Sequence, residues 1–138
     1  MPNDAGEFQR ALFTLLSAAP EMNGIQIVDE MPQAEDASAL AGLPAIEIGD
    51  MDIRDWSTSG TEGDDIAFRL HVWNVPGSLF DLRAIQGACK GLLHRRQENL
   101  TLPRGKVVLL HRLASRVVVD KAHGVCDYRA LVCYGETG

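Results

Sequence analysis

A chain of 138 residues, 46% hydrophobic and 23% charged, has the size and composition of one globular domain spanning residues 1–138 with a core of its own. It holds no apolar run near the ~20 residues that cross a bilayer and no basic or apolar leader in its opening Met-Pro-Asn-Asp-Ala-Gly-Glu. Its three cysteines form no C-x-x-C pair, so they read as reduced thiols. The net charge of −6 divides unevenly, with 3 Lys/Arg and 15 Asp/Glu in residues 1–82 against 10 and 4 in residues 83–138. The cations of the second half are scattered, which argues against a nucleic-acid patch and leaves open acidic and basic surfaces that meet between copies.

Asp4 and Glu7 stand at capping-box spacing, and Phe8, Leu12, Leu15, Leu16 and Ala19 follow a helical stripe. The pattern predicts a helix over residues 5–18, stopped by Pro20. Ile25 to Asp29 reads as a short strand, and residues 33–43 as a loop or weak helical turn. Ala45 to Asp55 reads as a second strand whose apolar face switches between Ile48 and Met51. One extra residue at Gly49-Asp50 restores the face, so a bulge is expected there. Trp56 to Asp64 is polar with two glycines, and reads as a long hairpin loop, mobile at its tip.

The stretch from Asp65 onward organises the chain. Ile66, Phe68, Leu70 and Val72 alternate with Ala67, Arg69, His71 and Trp73, which is the period of a half-buried strand. Pro76-Gly77 interrupts it, and Ser78 with Asp81 resembles a capping box. Leu82, Ile85, Cys89 and Leu92 then form a helical stripe ending at His94-Arg95-Arg96, where cations suit the helix dipole. Gly87 and Gly91 lie four apart in this helix and suggest close approach to the first helix. Asn99 to Gly105 reads as a turn. Val107 to Asp120 follows as a strand with Val107, Leu109, His111, Leu113, Val117 and Val119 on one face. Lys121 to Gly124 makes a tight turn into a last strand, Val125 to Tyr134. Cys126 and Cys133 have opposite parity on it and cannot pair. The order α-β-β-β-α-β-β implies an α+β sandwich of two layers, a mainly antiparallel sheet with both helices on one face.

Motifs for chemistry are scarce. No glycine-rich nucleotide cradle, H-E-x-x-H or G-x-S-x-G occurs. A metal trio of His71, His111 and Cys126 is conceivable, but ordinary strand positions explain each residue better. Cys89 reads as core, and Cys133 as the one accessible thiol. Asp50, Asp52 and Asp55 fit a solvated sheet face better than an acid–base pair. Trp73 shares its side with Arg69 and His71, which makes it either an interface anchor or a ring packed under the Trp56 loop. A small enzyme or ligand-binding domain using His71, His111 or Asp52 is the alternative reading. A third is a nucleic-acid module using Arg95, Arg96, Arg104 and Lys106.

One resemblance runs through residues 5–134. Its carriers are the first helix, G-I-Q-I-V-D-E-M-P from Gly24, P-A-I-E-I-G from Pro44, and Asp55-Trp56. F-R-L-H-V-W from Phe68, S-R-V-V-V-D from Ser115 and the hairpin into C-D-Y-R-A-L-V complete them. In these the chain resembles the tail-completion, or tail terminator, proteins of long-tailed bacteriophages and gene transfer agents. The resemblance implies a structural protein with no catalytic activity, cofactor or metal, assembled in the cytoplasm into a phage-like particle. It further implies a ring, usually of six subunits, that caps the head-proximal end of the tail tube and meets the head connector. Self, tail tube protein and head–tail connector protein are then the partners, DNA passes through without specific binding, and no membrane is involved. An acidic lumen would keep the DNA from sticking, because bound DNA needs neutralising cations. The 56–64 loop would serve as an arm toward a neighbour. Trp56, Arg69, His71, Trp73, Arg95 and Arg96 are the candidate interface residues.

Overall fold

Alternation and helical stripes resolve into two α-helices and five strands in a computed structural model, which describes residues 5–28, 44–73, 79–118 and 123–136. They are α1 (Ala5–Ala18), β1 (Gln26–Val28), β2 (Ala45–Asp55), β3 (Thr61–Trp73), α2 (Leu79–Leu93), β4 (Lys106–Val118) and β5 (His123–Glu136). The expected loop at 33–43 and the caps Asp4 and Ser78 lie outside the described residues.

The strands form one sheet in the order β1-β2-β3-β5-β4. All neighbours are antiparallel except β1 and β2, which run parallel. Both helices cover one face of this sheet, giving the two layers expected of the α+β sandwich. Phe8, Leu12 and Leu16 of α1, and Leu82, Cys89 and Leu93 of α2, are fully buried there. They meet Ile66, Phe68, Leu70 and Val72 of β3, and Cys126, Tyr128, Ala130 and Val132 of β5. At the centre the Phe8 ring stands edge-on to Phe68 at 5.3 Å, and Phe68 stacks on Tyr128 at 5.4 Å. The Tyr128 hydroxyl is buried without a hydrogen-bond partner among the described residues, and burial pushes its pKa up.

The switch of apolar face in β2 is a bulge. Ile48 opposes Leu70 and Met51 opposes Phe68, so β2 spends one residue more than β3 between these pairs. Gly49 sits in it, where a β-carbon would come within 2.9 Å of the His71 ring.

Four expectations need correction. The connection after β2 is shorter than its polar composition suggests: Thr61 to Asp64 already belong to β3 and pair with β5. The turn closes through reciprocal backbone bonds between Thr58 and Thr61, and Gly60 takes the left-handed φ of 87° that it needs. Gly87 and Gly91 do not meet α1, because a methyl on either would touch nothing within 4 Å. In β4, two bulges at 107–109 and 112–114 reset the parity. Val107 and Leu110 point into the core, Leu109 and His111 share rows with outward residues of β5, and Leu113 is 59% exposed. His123 and Gly124 belong to β5, not to a turn.

The close of α2 fixes the sheet edge. Arg95 takes a left-handed φ of 59°, the conformation that commonly ends a helix. Its N–H donates to the Leu110 carbonyl at 2.8 Å, and the Arg112 N–H donates to His94 Nδ1 at 3.0 Å. Gln86, a buried polar residue the apolar stripe gave no reason to expect inside, donates from Nε2 to the Arg116 carbonyl at 2.9 Å.

Candidate functional site

The sheet face away from the helices is covered by polar side chains that sequence parity places outward on β2, β3, β5 and β4. On it the two oppositely charged halves of the chain meet. Arg129 grips Asp65 with two hydrogen bonds, at 2.9 and 2.7 Å. Arg69 donates to one oxygen of Asp127 at 2.8 Å, and Arg116 to the other at 3.2 Å. Of these, only the Asp65–Arg129 pair joins an acid of the first half to a cation of the second. Arg69–Asp127 runs in the opposite sense, and Arg116–Asp127 lies within the second half. Little of the charge opposition read from the sequence is therefore satisfied by these pairs.

The fork from Arg129 outweighs partial desolvation and holds the Asp65 carboxyl below its ordinary value of 3.8. Burial works to raise Asp127, yet Arg69 and Arg116 prevail and hold it low as well. A carboxylate whose pKa is depressed by folding adds stability above its unfolded pKa, and that contribution fades as acid protonates the folded form. Asp65→Asn is expected to unfold at lower urea than the parent chain at pH 7, with the gap narrowing below about pH 4. A gap of equal size at both pH values would refute the role of this carboxylate.

At one end of the same face, four side chains join. The Trp73 and His123 rings lie parallel with centroids 3.7 Å apart, and Trp73 Nε1 donates to Glu47 Oε1 at 3.2 Å. His71 Nδ1 and His123 Nε2 share a hydrogen bond of 2.9 Å, so at least one of those nitrogens carries no proton. Trp73 is thus held by Glu47 and His123 and does not lie beneath Trp56. Trp56 sits at the opposite end of β3, over Gly63.

The six sequence-derived interface residues divide accordingly. Arg69, His71 and Trp73 lie along one outward stripe of β3, already engaged with β5 and β2. Trp56 stands at the hairpin end and is 39% exposed. Arg95 and Arg96 follow α2, with Arg95 exposed and Arg96 in an exposed contact with Glu98 at 3.9 Å. Sequence reasoning missed His123, since nothing local shows that β5 pairs with β3 in the register that sets it beside His71.

The residues proposed for catalysis do not converge. Asp52, Ala67, Arg129 and His111 form one row across the sheet. Asp52 and His111 are therefore three strand spacings, about 14 Å, apart. His71 lies four residues along β3 from that row. Asp52 contacts Arg54 at 3.2 Å with both side chains exposed. Cys126 faces the core while His71 and His111 occupy outward rows, which separates the supposed metal trio. Burial pushes the Cys89 and Cys126 thiols up, away from nucleophilic character. Among the described residues no group of three or more His, Cys, Asp or Glu side chains could hold a metal ion. No described helix is long and apolar enough to cross a membrane.

On the other side of the molecule, a groove of about 880 Å³ runs between α1 and the segment after α2. None of the six residues singled out in the sequence lines it.

A family model described as "Tail completion protein gp17" matches residues 10–133. A chain in a solved structure titled "Virion of native gene transfer agent (GTA) particle" is similar in fold and sequence. The similarity covers 96% of this chain and 97% of that one, with a TM-score of 0.72 and 25% identity. No curated protein matches the chain.

Proposed function

Since the chain belongs to the tail completion protein gp17 family, we propose that it closes the head-proximal end of a tail tube as a ring of six copies. The family role is structural, so the chain is a tail assembly protein of a phage-like particle and not an enzyme. The observation that carries the reading is the likeness, over nearly the whole of both chains, to a chain of a gene transfer agent virion.

In this reading one rim of the ring stops growth of the tail tube protein and the other receives the head–tail connector, with assembly in the cytoplasm before the particle is complete. DNA crosses the bore without specific contact. The outward sheet face supports this in kind: its guanidiniums are held by carboxylates of the same subunit, so few are left to bind phosphates. The candidate contacts Trp56, Arg69, His71, Trp73, Arg95 and Arg96 remain available to neighbours at their exposed edges.

The test is deletion of the chain from a particle-producing strain, followed by electron microscopy. Tubes of unregulated length and heads without tails are expected, and supplying the chain in trans restores complete particles. Normal particles in the deletion strain would overturn the reading.

A further inference from the structure

Two surface features find no partner among the described residues. The first is the groove beside α1. Ala11, Leu15, Leu92 and Pro103 give it apolar walls. Glu7 lines it too, and its Oε1 is buried without a hydrogen-bond partner among the described residues. An unanswered carboxylate oxygen is costly to bury. No ion pair joins it to Arg10, one turn along α1, among the described residues.

The second feature is the outer ridge of α2. Phe80 is 80% exposed, the most exposed large apolar side chain described. Arg83 follows one turn later on the same ridge, exposed, with no hydrogen bond or ion pair among the described residues. Positions i and i+3 of a helix are neighbours about 5–6 Å apart, so an aromatic knob and an unpaired cation project side by side. Residues 80, 83, 84, 87, 90 and 91 of the ridge carry two cations and no acid. Gly87 and Gly91 leave open space beside it. Each glycine costs up to about 1 kcal/mol relative to alanine in a helix interior, with no compensating contact among the described residues.

We infer that these two surfaces fit each other across a subunit boundary. Phe80 of one copy seats in the α1 groove of the next, and its Arg83 reaches the Glu7 carboxylate. The occupant is a second copy of this chain because the groove asks for an apolar side chain beside a cation, and the ridge presents both. The groove acids Glu7 and Glu21 outnumber its one cation, Arg10, so the two surfaces also differ in sign. A contact between two different patches is head-to-tail, and it repeats until rotation closes a ring. This pairing rests on the ring reading above and names the surfaces that would build it.

A charge exchange tests it in the full chain, by complementation of a deletion strain. Glu7→Arg and Arg83→Glu are each expected to lower particle yield about tenfold, equivalent to about 1.4 kcal/mol. The two together should recover most of the loss, as direct partners do in a double-mutant cycle. Thermal unfolding of each purified variant checks that the fold survives. A combined variant no better than the worse single one overturns the pairing. Oxidative cross-linking of a Phe80→Cys, Leu15→Cys variant reads the same contact without altering Glu7. A ladder of covalent multimers supports it, and monomer alone refutes it. Cryo-electron microscopy of the parent particle separates the two levels. A single copy per tail defeats the ring itself, whereas a ring with Phe80 outside the groove defeats only this contact.

Discussion

Phe68→Ala is expected to lower unfolding free energy by about 3–5 kcal/mol, the usual cost of removing a buried aromatic ring. Phe68 is 3% exposed and touches both an edge-on Phe8 and a stacked Tyr128. Its loss empties the point where α1, β3 and β5 meet, and the rings on either side lose a favourable aromatic contact as well. Urea unfolding followed by circular dichroism reads the effect. Phe80→Ala is the control, since that ring is 80% exposed and its removal should leave the midpoint nearly unchanged. Equal losses at the two positions would mean that the core lies elsewhere.

Gly63→Ala is expected to cost about 1–3 kcal/mol through overpacking. A β-carbon at Gly63 would stand 2.7 Å from the Val132 carbonyl oxygen and 3.0 Å from the Trp56 ring. The carbonyl belongs to the neighbouring strand and cannot swing aside. The surrounding bonds are tied to the same spot: the Trp56 N–H donates to the Gly63 carbonyl at 2.9 Å, and the Gly63 N–H to Ser57 Oγ at 3.2 Å. Trp56 should therefore become more solvated, shifting the tryptophan emission to longer wavelength along with the lower midpoint. A variant with parental stability and spectrum would show that this hairpin end yields easily.

The parts of the fold that could be read in advance are those written in local period. The stripe Phe8-Leu12-Leu16 and the proline at position 20 set α1 at Ala5–Ala18, and the parity break around Gly49 located the bulge in β2. What escaped was long-range or compensated. Nothing in Val125 to Tyr134 tells that β5 inserts between β3 and β4, because pairing partners lie far apart in sequence. The two bulges of β4 hid its inward face, since Leu109, His111 and Leu113 alternate as convincingly as a true core stripe. Thr61 to Asp64 looked like loop because its side chains are polar, although the backbone pairs with β5. Of the site, the outward stripe Arg69-His71-Trp73 was visible from alternation, but its partners Asp127 and His123 were not. The groove beside α1 was invisible, as a concavity between separate elements leaves no pattern in either.

The close of α2 has a bearing on how such a protein survives being made in quantity. An open sheet can recruit strands from sister molecules and grow into fibres. Here the rim at Leu110 and Arg112 is already occupied by backbone and imidazole from residues 94 and 95, and two kinks interrupt the rest of β4. Copies crowded together before a particle exists are thus hindered from zipping main chain to main chain along this edge, and recognition there must work by shape and side chain, which is the kind of recognition that can end at a fixed number.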